Sequence, residues 1–244
     1  MTGRLRAMRI IAAGMAVGAI GFGLFTVVFG LLNPAQEPHA FHNPIVASLL
    51  IVLSAPPLIG IARDPENPTQ PLVILAAVGV AAVATMAIAL TLDPFTLPVV
   101  VLIGVLWALA PSRSAVMPAG TVSVPLIALS ALAAVVLVPY AVSQADLQRT
   151  DQVSEHARFF HWVETAFHAT AIPLLGLLAG LRPAAYRMAG WMAGIAFLVL
   201  GLASLLYAGY ASALPVAMAA GAVVGGLAML GFAALEAGGD GSRG

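Results

Sequence analysis

The stretch PLVILAAVGVAAVATMAIALTL, residues 71–92, runs for twenty-two positions without a charged side chain. As a helix rising 1.5 Å per residue it would span about 33 Å. That is enough to cross a hydrocarbon core of roughly 30 Å. Such a core offers no water, so a spanning segment must satisfy its backbone internally, and a single segment does this only as a helix. Runs of similar length recur on both sides. The chain is 61% hydrophobic and 8% charged, against about 25% charged for an ordinary soluble domain. Too few polar groups remain to cover a water-facing surface, so lipid is the expected solvent.

Other function classes fall away on composition. There is no cysteine, which excludes disulfides, thiolate metal sites and thiol chemistry. All ten basic residues are arginine, so no lysine is present to form a Schiff base with retinal or another carbonyl. The formal net charge is zero, and no basic surface points to nucleic acid. The start, MTGRLRAMR, has the basic flank of a signal peptide. The apolar run that follows, Ile10 to Leu32, is longer than a signal h-region and ends at Asn33-Pro34 without a small-residue cleavage site. It reads as a retained first helix.

Hydropathy with Pro, Gly and charge punctuation predicts eight spans, at 9–32, 44–62, 71–92, 95–110, 121–143, 158–180, 188–208 and 214–235. With the N-terminus inside, Arg4, Arg6, Arg9, Arg63, Arg113, Arg182, Arg187 and Arg243 fall on cytoplasmic segments, and only Arg149 and Arg158 fall outside. This alternation follows the positive-inside rule. The expected fold is therefore an all-α polytopic integral membrane protein with eight transmembrane helices and both termini cytoplasmic. The expected location is the bacterial inner (plasma) membrane, multi-pass. Its partners are the lipid bilayer and, beyond it, other membrane subunits or a second copy of the chain.

The two halves match weakly. APPLIG at 55–60 pairs with AIPLLG at 171–176, and LPV at 97–99 pairs with LPV at 214–216, at offsets of 116 and 117. Two parallel four-helix repeats, 1–118 and 119–244, forming one membrane domain, account for both matches.

On this topology all five histidines lie toward the outer side, together with Glu37, Asp93, Asp146, Asp151, Glu155 and Glu164. The stretch EHARFFHWVETAFHAT, residues 155–170, concentrates three of those histidines. At about 100° per residue, His161, Glu164, Thr165 and His168 share one narrow helix face. An ionisable group at that depth costs at least about 2.5–3.5 kcal/mol in lipid, so the stripe must face the bundle interior. Two imidazoles and a carboxylate on adjacent turns suit a transition metal, which takes three to five such ligands. His161, Glu164 and His168 are the expected core ligands, with His42 and His39, at the start of the second span, completing the set. Zinc, copper and iron suit imidazole alike. If the metal is catalytic, Glu164 or Glu155 is the candidate general base on a metal-bound water, acting on a lipid or periplasmic substrate. Two other readings fit the same residues: a haem-binding electron-transfer subunit, and a structural or accessory subunit whose polar stripe only ties helices together.

Overall fold

The computed structural model describes residues 2–32, 39–111, 120–151 and 153–238. Asn33-Pro34, Glu37, Arg113, Arg243 and the boundary between 118 and 119 lie outside the described residues. Among those described, the regular elements are all helical: α1 (Gly3–Leu32), α2 (His42–Ala47), a π-helical turn (Ser48–Val52), α3 (Ala55–Arg63), α4 (Thr69–Ala89), α5 (Thr96–Leu109), α6 (Val124–Thr150), α7 (Glu155–Arg158), α8 (His161–Leu181), α9 (Pro183–Leu206) and α10 (Val216–Gly238).

Among the described residues, seven segments are long and apolar enough to cross a membrane, with α2, the π-turn and α3 counting together as one, His42–Arg63. The chain is a multi-pass membrane protein on that ground. The fourth expected span, 95–110, is the fourteen-residue α5, about 21 Å long and short of a full crossing by length alone. The stretch 71–92 forms α4 from Thr69 to Ala89. It stops where Leu90 turns left-handed, at φ 51°, and Thr91 N–H reaches back to the Met86 carbonyl. Asp93 then starts α5. Its carboxylate accepts from the Phe95 N–H at 2.8 Å and from the Thr96 hydroxyl. At the far end of α5, the Arg4 guanidinium bonds the carbonyls of Ala108, Leu109 and Ala110. Those carbonyls would otherwise be unpaired at a helix C-terminus.

Helix α8, which carries the polar stripe, is the central element. It packs against α6, α9, α4 and α2, and α9 also meets α2 and the π-turn. In the first half α1 lies on α2, α3 and α5, and α4 lies on α3 and α5. In the second half α6 lies on α8 and α10, and α9 lies on α8 and α10.

Small residues allow the closest of these approaches. A Cβ on Gly180 would stand 2.9 Å from the Ile127 backbone nitrogen, and one on Gly194 would stand 3.0 Å from the Gly226 carbonyl oxygen. The Gly176/Gly180 and Gly190/Gly194 pairs are packing faces for that reason. The Gly14/Gly18 pair, which has the same spacing, faces open space. Ser123 N–H donates to the Gly180 carbonyl at 2.7 Å, so α6 and α8 are pinned at that point and have no slack. Gly180→Leu is expected to destabilise the bundle by about 1–3 kcal/mol through overpacking, whereas Gly14→Leu should leave it unchanged. Thermal unfolding in detergent, followed by tryptophan fluorescence, measures the difference.

A histidine cluster at one end of the bundle

The sequence brings two similar stretches to the starts of two spans. HAFH, residues 39–42, precedes α2, and HARFFH, residues 156–161, precedes α8. In each case a phenylalanine is the last residue before the helix and a histidine is the first within it. The second stretch carries two extra residues, which form a turn. Phe160 closes that turn with φ 61°, a left-handed conformation that costs a non-glycine residue about 1–2 kcal/mol. The loop before it is held firmly. Ser154 caps α7 by accepting from the Ala157 N–H at 3.2 Å, and Gln148 Nε2 donates to the Ala157 carbonyl at 2.9 Å. Hydrogen bonds from the Ser154 hydroxyl and backbone N–H hold the Asp151 carboxyl below its usual range.

Four imidazoles meet there. Ring centroids are 4.7 Å apart for His42 and His161, 4.8 Å for His42 and His156, 4.9 Å for His39 and His161, 5.6 Å for His39 and His156, and 6.0 Å for His156 and His161. Trp162 stacks on His156 at 5.0 Å.

Three of the rings are tied by one nitrogen to an outlying group. His161 Nδ1 lies 2.9 Å from Glu164 Oε2, His39 Nε2 lies 3.4 Å from Glu155 Oε2, and His42 Nδ1 lies 3.2 Å from Thr165 Oγ1. The remaining nitrogens of His161 and His39 face each other, Nε2 to Nδ1, at 3.0 Å. The other nitrogen of His42 lies 3.3 Å from the Ser212 hydroxyl, and the Ser212 carbonyl accepts from the Tyr140 hydroxyl.

The hydrogen count of this chain is informative. Glu155, His39, His161 and Glu164 make three successive contacts. With both carboxylates ionised, two neutral imidazoles supply two protons, and both are used on the carboxylates. Two lone pairs would then face each other across 3.0 Å. The chain has room for one added positive charge, either a proton or a metal ion.

His168 is not part of the cluster. It is fully buried on α8, its Nε2 lies 2.9 Å from the Ser48 hydroxyl of the π-turn, and its Nδ1 has no hydrogen-bond partner among the described residues. Of the expected ligands the structure thus brings together His39, His42, His161 and Glu164. It sets His168 apart and adds His156, which the helical projection of α8 did not reach. Glu155 sits at the rim with its side chain 66% exposed. Among the described residues, no three His, Asp or Glu side chains are already set around one metal-sized point.

Burial and the neighbouring His161 lower the pKa of His39 below its ordinary 6.5, although Glu155 pulls it the other way. The folded state therefore favours neutral His39. This contribution to stability is complete above pH 6.5 and is lost as the pH falls through 6.5 toward the lower folded value. The expected result is a melting temperature that drops between pH 7 and 5, and a His39→Gln variant with a flatter profile.

No family model, no curated protein and no solved structure matches this chain.

Proposed function

We propose that this protein binds one transition-metal ion at the histidine end of the bundle, with His39, His42, His156 and His161 as donors. The observation that carries the reading is the convergence of four imidazoles from the starts of two spans, three of them oriented by a hydrogen bond on the opposite ring nitrogen. A metal-ligating histidine almost always has such an outlying partner, most often a carboxylate, carbonyl or water. Glu164 serves His161 in this way, Glu155 serves His39, and Thr165 serves His42. Facing nitrogens 3.0 Å apart need only open to about 3.3 Å to share a tetrahedral ion at bonds of ~2.0–2.1 Å. A haem between two of these imidazoles needs an open slab, and the rings here are packed against one another. The metal would be zinc, copper or iron, and Glu164, bonded to the His161 nitrogen that faces away from the ion, would orient that ligand rather than act on a bound water.

The same hydrogen-bonded chain favours a second reading, proton passage between exposed Glu155 and buried Glu164. Metal titration separates the two. Purified protein stripped with chelator and titrated with Co(II) should bind one equivalent per chain with a visible tetrahedral spectrum, and Zn(II) should displace it. Absence of binding at millimolar metal would refute the metal reading and leave the proton path.

The finer topology belongs to the same proposal. Eight crossings place the cluster on the outer face by the arginine count. The bond from Arg4, at the start of α1, to the end of α5 supports a fourth crossing, because it brings α5 to the end of the bundle opposite the histidines. Two parallel repeats are supported by the packing. Exchanging the halves turns the contact of α4 with α8 into that of α9 with α2, and turns the contact of α1 with α5 into that of α6 with α10. The location would be the bacterial inner membrane, with other membrane subunits or a second copy as possible partners.

A further inference from the structure

Glu164 has a second face. While its carboxylate bonds His161, the residue also lines a cavity of about 170 Å³ enclosed by α1, the α2–α3 span, α4 and α5, with Gly79, Val100 and Phe167 among its walls. Two other lining residues, Phe22 of α1 and Phe95 at the start of α5, are 52% and 56% exposed. Both helices face lipid there, so the mouth of the cavity opens sideways into the bilayer. Helices α1 and α5 are joined at their other end by Arg4.

We infer that the cavity takes one alkyl or prenyl chain of a lipid whose head donates a hydrogen bond toward Glu164. The inference rests on the metal reading for its purpose, since it would place a lipid head beside the histidine cluster. Three observations select the occupant. The walls are almost wholly apolar, which suits a hydrocarbon chain. The volume is well below the roughly 300 Å³ at which pockets begin to enclose whole small molecules, so a single chain fits and the rest of the lipid stays in the membrane. The lining hydroxyls have already used their protons: Ser54 donates to the Leu49 carbonyl at 2.8 Å and Thr96 donates to Asp93. What faces the cavity at its polar end is therefore acceptors, and no arginine lines it. A hydroxyl or amine head is complementary to these acceptors.

The test is photolabelling of the purified full-length protein in detergent–lipid micelles. The probes are a long-chain alcohol carrying a diazirine near its terminal methyl group and the corresponding methyl ether, which has no donor. The alcohol should label residues 46–54 and 95–103 in preference to other lipid-facing segments, with the ether at least five-fold weaker. Gly79→Leu and Val99→Phe, two independent ways to fill the space, should each remove that labelling while Co(II) stoichiometry stays unchanged. A Cβ on Gly79 meets only Ile103 Cδ1 at 3.6 Å, so the first step of that substitution is sterically ordinary. Labelling spread evenly over the lipid-facing helices, equal labelling by the ether, or labelling that survives both variants would overturn the inference. Selective labelling in a protein that binds no metal would leave the cavity assigned and refute the metal reading instead.

Discussion

His161→Ala is expected to abolish stoichiometric metal binding, with affinity falling more than 100-fold. His161 links both ends of the cluster. His161 bonds Glu164 through one nitrogen, faces His39 through the other, and stacks on His42 with ring centroids 4.7 Å apart. Its removal deletes one of the four proposed donors and also disconnects Glu164 from the cluster. Glu164→Gln provides the graded comparison. Glutamine can still offer its carbonyl to His161 Nδ1 but brings no negative charge, and loss of such an orienting carboxylate typically costs 10–100-fold in metal affinity. Because both substitutions act through the same ring, the double variant should be no weaker than His161→Ala alone. Competition titrations against a chelator of known affinity give all three values. Equal affinity in wild type and His161→Ala would exclude the histidine cluster as the site.

How much of this could be read from the sequence differs element by element. The stretch 71–92 declares its helix, because lipid imposes both its length and its lack of charge, and α4 covers nearly all of it. The inward turn of the α8 stripe was also legible. Thr165 and His168 are fully buried, as the cost of exposing them to lipid requires. The placing of His39 and His42 beside α8 followed only from their sharing a side of the membrane with it, and the structure supplies the contact. His156 was missed. Its signal is the match between HAFH and HARFFH, which two inserted residues conceal, and the turn that absorbs them depends on a strained Phe160 that no propensity scale favours. Asp93 lies close enough to influence Glu164 electrostatically, but its position is set by the left-handed stop at Leu90. No sequence pattern marks that stop, because glycine is the usual residue there. The break in the second span follows the same logic. Pro56 and Pro57 mark the start of α3, but the π-turn before them leaves no mark of its own in the composition of residues 48–52.

His168 shows why a helical projection is an incomplete guide, and it gives the second large effect. Seven residues after His161 it returns to nearly the same angle, which made the two look like partners. Seven residues also descend about 10 Å, whereas ligands of one ion sit within roughly 2.0–2.2 Å of it. The imidazole is instead packed without exposure against Ser48 at a π-turn. His168→Ala would remove that contact, leave the Ser48 hydroxyl without its partner and open a cavity between α8 and the second span. Losing a buried hydrogen-bond partner costs about 1–3 kcal/mol. Incomplete collapse of a large-to-small site adds to this in proportion to the void left. A total loss of about 3–4 kcal/mol is expected in unfolding titrations, larger than for any single residue of the cluster. Metal stoichiometry of the fraction that remains folded should be unchanged. His168→Gln, which keeps a polar group of closer volume near Ser48, should recover much of the stability. If His168→Ala instead lost the metal while keeping its stability, the ion would lie a turn deeper than the four imidazoles, and His168 would be a ligand after all.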